Sequence, residues 1–165
     1  MSTGSYAATG PRGSQQPPPR DAECSQQRLA ETRARAHARC VVCGARDDGP
    51  ARLCFTVTDN GGVEAHICIN DDFEGYDGIL HGGIIATLLD AAMTNCLFAQ
   101  GRRGLTAELL VRFRHPVVTG TPLRLWAGVE RSSPPLFVLR AEIRQTGQVR
   151  ATAVGKFMAP SSGRD

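Results

Sequence analysis

An α+β domain, in which a mainly antiparallel sheet curls round one long buried helix, is the fold class that this sequence of 165 residues predicts. Three observations carry it. From Ile79 to Gln100 the chain reads ILHGGIIATLLDAAMTNCLFAQ, an apolar segment with a single formal charge, Asp90. Two runs in which apolar and polar residues alternate precede this segment, and four more follow it. The breaks between the later runs are as short as hairpin connections.

Nothing between Ile84 and Phe98 breaks a helix. Ile84, Ile85, Leu88, Leu89, Ala92, Met93, Cys96 and Leu97 leave it hardly any polar face, so burial on most sides is expected. Asp90 then needs a reason. An unpaired buried carboxylate is costly and tends towards a raised pKa, a common condition of catalytic acids and bases. A membrane span is not expected, because the uninterrupted apolar run falls short of about 20 residues and has Asp90 near its middle.

Length predicts one domain with a tail. The net charge is +3, and arginines spread along the chain do not form the basic stripe of a nucleic-acid binder. Residues Met1 to Arg20 are rich in Gly, Ser, Gln and Pro, with no apolar signal region, so a cytoplasmic protein is expected whose six cysteines are mostly reduced.

Residues 1–24 have the composition of a disordered tail, as QQPPPR illustrates. Residues 25–39 follow as a surface helix over SQQRLAETRARAHA, with Ser25 as its cap and a thin apolar face. His37, Cys40 and Cys43 in HARCVVCG admit three readings: a packed turn at Gly44, a metal site, or a redox pair. Cys24 is the only nearby candidate for a fourth ligand. The expectation is therefore no metal, no cofactor and no stoichiometric zinc in the purified protein.

In the strands the apolar register is Leu53, Phe55 and Val57 against Arg52, Cys54 and Thr56, then Val63, Ala65, Ile67 and Ile69 after the turn Asp59-Asn60-Gly61-Gly62. His66 falls in the polar register. Asp71 to Gly78 reads as an exposed acidic turn whose carboxylates lack calcium-loop spacing. Beyond the helix the helix-facing register is Leu105, Ala107, Leu109, Val111 and Phe113; Leu123, Leu125, Ala127 and Val129; Phe137, Leu139, Ala141 and Ile143; and Val149, Ala151, Ala153 and Phe157.

The stretch EGYDGILHGGIIATLLDAAM, followed by GLTAELLVRFRHPV and further hairpins, resembles the hot-dog fold acyl-CoA thioesterases of the phenylacetate-pathway type. The resemblance covers about Cys40 to Met158 and gives a domain at 40–160, its curved antiparallel sheet wrapped round one long central helix, with the N-terminal helix and disordered tail outside it. It implies that Gly82 offers its backbone N–H to the thioester carbonyl at the positive end of the helix. Asp90 matches the family's catalytic carboxylate, acting as general base or as nucleophile. His81 matches the motif histidine, which orients loop or substrate; a structural His bonded to backbone is the equal alternative. Thr106 matches a hydroxyl position that assists the Asp in some relatives, although alternation would turn it away from the helix.

Two departures stand out. Gly75 occupies the place where some relatives have a water-holding Asn, and Ala91 the place where another set has Glu, which leaves Asp90 as the one ionised candidate on the helix. For the substrate, Gly83, Leu89, Met93, Phe73 and Tyr76 are expected round the acyl group, and Arg102, Arg103, Arg112 and Arg114 near the CoA phosphates. The expected partners are an acyl-CoA and a second copy of the chain: eight residues put Gly82 and Asp90 roughly 12 Å apart along the axis, too far for one thioester, so a homodimer, paired again into a dimer of dimers, would complete the site. A non-catalytic acyl-CoA binder and an enoyl-thioester hydratase or dehydratase are the alternatives.

Overall fold

The computed structural model of the protein describes residues 20–44 and 53–160; most of the expected tail, and Arg52, lie outside them. Helix α1 spans Arg20–Ala36, starting five residues before the expected Ser25, which therefore lies inside the helix and not at its cap. Its thin apolar face sinks one side chain fully, Leu29, and the helix packs against the central helix. Gln26 ties it to the first strand in the manner of a neighbouring strand: its Nε2 donates to the Phe55 carbonyl at 3.1 Å and its Oε1 accepts from the Val57 N–H at 2.7 Å. Arg33 adds a bond to the Leu53 carbonyl at 3.3 Å. An otherwise open sheet edge is thereby covered.

Strands β1 (Thr56–Val57) and β2 (Val63–Ile67) form the first hairpin. Leu53 and Phe55 are buried and Cys54 exposed, as the alternation predicts, although regular pairing starts only at Thr56. His66 is an exposed strand residue beside Glu64.

The acidic stretch is more ordered than an open turn. Asp71–Phe73 make one 3₁₀ turn, and β3 (Glu74–Tyr76) pairs with β4 (Ile79–Leu80). Glu74 accounts for the difference: its Oε1 accepts from the Gly78 N–H at 2.8 Å and from the Thr119 hydroxyl at 2.9 Å.

Helix α2, Gly82–Ala99, follows, and from Ala91 to Ala99 every residue is buried. By length and composition alone it could cross a membrane, but 67% of it is buried inside this chain. It lies between α1 and a six-stranded antiparallel sheet of order β1-β2-β6-β7-β8-β5, where β5 is Leu105–Phe113, β6 Leu123–Ser133, β7 Leu136–Gln145 and β8 Gln148–Met158. Leu125, Leu139, Ile143, Ala151, Ala153 and Phe157 face the helix with almost no exposed surface, in the register expected for β6, β7 and β8.

Strand β5 departs from strict alternation. Between Thr106 and Glu108 its pairing with β8 shifts by one residue, a β-bulge. Leu109 and Val111 keep the expected inward register, but Leu105, on the far side of the bulge, is 71% exposed and not helix-facing. The bulge also turns Thr106 towards the helix.

Cys96 sits at the centre of the core with no exposed surface, and burial pushes its thiol up from 9.0 to about 12, opposed by a hydrogen bond from the Val129 backbone. The unfolded chain ionises this thiol first, so the folded form holds the extra proton between pH 9 and about 12. Stability is therefore fully present below pH 9 and falls as pH rises through that window, by on the order of 1 to 4 kcal/mol in all. Thermal midpoints of wild type and Cys96→Ala, measured under reducing conditions, check this. The variant loses stability at neutral pH but declines less steeply above pH 9; parallel curves would contradict the assignment.

Candidate functional site

The entry to α2 is held by backbone and by two buried or half-buried side chains. The Leu80 N–H donates to the Val117 carbonyl at 2.9 Å and the His81 N–H to the Phe73 carbonyl at 2.9 Å. Behind them Gln145, 2% exposed, accepts from the Val118 N–H at 2.9 Å and donates to the carbonyls of Val118 at 2.7 Å and Thr121 at 3.0 Å. Glu74 links the 71–78 hairpin to the same 117–121 loop through Thr119. His81 is thus fixed at its backbone before its ring does anything.

His81 is the N-cap of α2, and its Nδ1 accepts from the Gly83 N–H at 2.9 Å. The structure thus favours the capping role for this residue. With Nδ1 occupied as an acceptor, the neutral ring carries its proton on Nε2. Gly83 is consumed by this cap. Gly82, as the first helical residue, has no carbonyl one turn back, so its N–H is left for another acceptor at the positive end of the helix. Only the Phe113 ring comes near a side chain placed at Gly82, at 3.6 Å from a Cβ.

A cavity of about 700 Å³ opens here, and His81, Gly82, Tyr76, Ile85, Phe113 and Arg114 are among its walls. Tyr76 is 84% exposed. Phe73 is half-buried and packs on the core while its carbonyl holds His81. Leu89 and Met93, expected round the acyl group, are not at this cavity: both have no exposed surface, because their side of α2 faces the sheet. Gly75 lines the cavity in the place of the absent water-holding Asn.

Asp90 lies two turns further along. It is neither fully buried nor unpaired, as its place in the apolar segment suggested; it is half-buried, and the Thr106 hydroxyl donates to its Oδ1 at 2.7 Å. A carboxylate on a buried helix is here presented at the rim, with one oxygen held and the other free of that bond. Neither Asp90 nor Thr106 lines the cavity at His81 and Gly82. One chain therefore carries the two halves of the expected site at opposite ends of β5.

The four arginines separate likewise. Arg102 stacks on the Phe137 ring at 5.3 Å and donates to Ser132 at 2.7 Å, Arg103 lies beside Gly104 and Leu105, Arg112 is exposed on β5, and Arg114 borders the cavity.

Behind Asp90 is the second constellation. Cys40–Gly44 form a tight turn in which a Cβ on Gly44 would overlap the Cys40 carbonyl oxygen, as the packed-turn reading requires. The same turn brings His37 Nδ1 to 3.7 Å from Cys43 Sγ, with the His37 ring edge-on to Phe98. Burial lowers the His37 pKa, opposed by the charge of Asp90. For Cys40, burial acts upwards, but the backbone N–H groups of Cys43, Val42 and Gly44 and the Cys43 side chain outweigh it and the thiol is shifted down. Burial pushes Cys43 up to about 11.

Comparison with known proteins bears on the first constellation. Residues 77–152 match the family model of the thioesterase superfamily. No curated protein matches the sequence. Among solved structures, the chain is 26% identical to the thioesterase superfamily protein RHA08564 over 67% of its own length, with TM-score 0.64, and spans 55% of that protein's length. A phenylacetic acid degradation-related protein from Ralstonia eutropha JMP134, described as a putative thioesterase, is 25% identical, with 69% of this chain and 95% of that one covered and TM-score 0.60. The protein smu.793 from Streptococcus mutans UA159, solved bound to acetyl CoA, is 18% identical over 67% of this chain and 90% of that one, with TM-score 0.63. The matched segment holds α2 with Gly82 and Asp90 and the strands β5 to β7 that wrap it, and over this segment the hot-dog chain is similar to the thioesterase superfamily.

Proposed function

We propose that the protein is an acyl-CoA thioesterase that hydrolyses a small to medium or aryl acyl-CoA. The observation that carries the reading is the hydrogen bond from Thr106 to Asp90, which holds a rim carboxylate in position on an otherwise apolar helix. Two courses fit that carboxylate. As general base it takes a proton from water while the oxygen attacks the thioester carbon; as nucleophile it forms a mixed anhydride that water then cleaves. In both, the carbonyl oxygen gains charge, accepts from the Gly82 N–H and, on collapse, releases CoA as the thiolate.

The two halves meet in a homodimer. Strand β5 is an edge of the sheet with its outer backbone groups unpaired by β8, and Phe113 on it is 58% exposed. Antiparallel pairing of two β5 strands about Leu109 and Leu110 sets Thr106 of one subunit opposite Phe113 of the other. Asp90 of one chain then faces Gly82 and the His81 cavity of its twin, and Arg114 and Arg112 stand near the seam for CoA phosphates. Two such dimers pair through the outer sheet faces, where Leu110 and Val154 lie exposed side by side. Its unpaired cysteines fit a reducing, cytoplasmic setting.

A hydrolysis screen over short, medium, long and aryl acyl-CoAs, read as release of free CoA thiol, tests the proposal. Release from at least one class is expected. Tight acyl-CoA binding without release in any class would make the protein a binder and not a hydrolase.

A further inference from the structure

Among the described residues, the thioesterase chemistry leaves one cluster of metal-ligating side chains unused. His37, Cys40 and Cys43 each offer one donor atom, and the three atoms lie within 4.8 Å of one another. A tetrahedral zinc ion with ordinary Zn–N and Zn–S bonds sets a nitrogen and a sulfur about 3.5 Å apart and two sulfurs about 3.8 Å apart. The His37 Nδ1 to Cys43 Sγ distance is 3.7 Å, close to that edge. The remaining pairs need to close by about 1.3 Å at most to meet it.

The surroundings of the two thiols are a closed turn and a buried amide. The turn that carries both thiols is closed by the Cys40 N–H donating to the His37 carbonyl at 3.0 Å and the Gly44 N–H donating to the Cys40 carbonyl at 2.9 Å, and the Asn95 side chain lies beside Cys43. Asn95 is a fully buried polar residue in the apolar middle of α2; its Nδ2 donates to the Ala91 carbonyl at 2.8 Å, while its Oδ1 has no partner. Nothing in the thioesterase site needs that amide. Beside a metal-bound thiolate it is an outer-shell donor, the kind of group that fixes a ligand's orientation.

The lack of a fourth ligand, which argued against metal at the level of sequence, loses its force here. Cys24 is out of reach, since it stands 12 residues before the end of α1 at Ala36 and so about 18 Å up the helix. However, a cavity of about 370 Å³ bordered by His37, Cys43, Gly44 and Cys54 opens on the cluster. Three protein ligands with water in an open fourth position are a normal zinc arrangement.

We propose that His37 Nδ1, Cys40 Sγ and Cys43 Sγ bind one zinc ion per chain, its fourth position open to this cavity. Binding expels the two thiol protons to solvent and ties the end of α1 to the Cys40–Gly44 turn, with the His37 ring against Phe98 of α2. The site stands apart from the hydrolase reading and is tested without it.

The full chain, purified under reducing conditions, is analysed for zinc, stripped with a chelator and titrated with cobalt. About one zinc per chain is expected, and cobalt should give the intense near-ultraviolet band of thiolate-to-metal charge transfer. Cys40→Ser and His37→Gln, both at half-exposed positions, should each lower zinc content at least tenfold, roughly the loss that even an outer-shell change can cause. Circular dichroism and gel filtration identify the folded fraction on which metal is counted. Asp90→Asn should keep its zinc, so loss of hydrolysis and loss of metal are read separately. Absence of a thiolate band from reduced wild type, or zinc undiminished in both folded variants, would overturn the proposal. So would a Cys40–Cys43 disulfide in the purified chain that, once reduced, takes up no metal.

Discussion

Asp90→Asn leaves the fold and acyl-CoA binding in place and lowers turnover of the preferred substrate by about 10² or more. The amide is nearly isosteric with the carboxylate, and the Thr106 hydroxyl, which donates to Oδ1 at 2.7 Å, can donate to an amide oxygen equally well. Packing is therefore retained at a residue that is only half-buried. What is lost is basicity and nucleophilicity, and both proposed courses need one of them. The loss should fall on kcat with KM little changed, because the carboxylate acts in the transition state and not in ground-state binding. Wild-type turnover in a folded Asp90→Asn protein would remove Asp90 from the mechanism whichever course is preferred.

Mixing two inactive proteins is expected to restore about a quarter of wild-type activity. One is Asp90→Asn; the other is Gly82→Leu, whose first side-chain atom meets only the Phe113 ring but whose branched end fills the approach to the Gly82 N–H. Eight residues along α2 separate the two positions by roughly 12 Å, so no single chain can apply both to one thioester. In a symmetric dimer each site takes Gly82 from one chain and Asp90 from the other. Random re-pairing of equal amounts makes about half the dimers mixed, each with one intact site and one doubly damaged site. Native mass spectrometry establishes that subunits exchange. Exchange without recovered activity would sink the shared site while leaving the Asp90 result untouched, so the two experiments fail independently.

How much of this was legible in the sequence follows from which interactions are local. The long helix and the four later strands were readable because their side chains face one core, and burial on one face imposes a period on the sequence. Leu125, Leu139, Ile143 and Phe157 take the places their alternation predicts. Gly82 and His81 were singled out by the resemblance and not by a helix-start signal, and in the structure Nδ1 of His81 accepts from Gly83 two residues on. Asp90 was conspicuous as the one charge in an apolar run.

Tertiary structure alone decided the rest. Thr106 reaches Asp90 only because β5 is bulged between Thr106 and Glu108, and no period-two reading can foresee a one-residue shift against β8, a strand more than 40 residues away. Without the bulge the alternation turns Thr106 outward and Leu105 inward, the reverse of what is found. Leu89 and Met93 are apolar like any pocket residue, and only the crossing of α2 over the sheet shows that they face inward. Likewise a CxxC motif fixes which thiols are present but not how near they stand to a histidine. That depends on how α1 ends against α2 and on a turn closed tightly enough at Gly44 to gather three donor atoms within 4.8 Å.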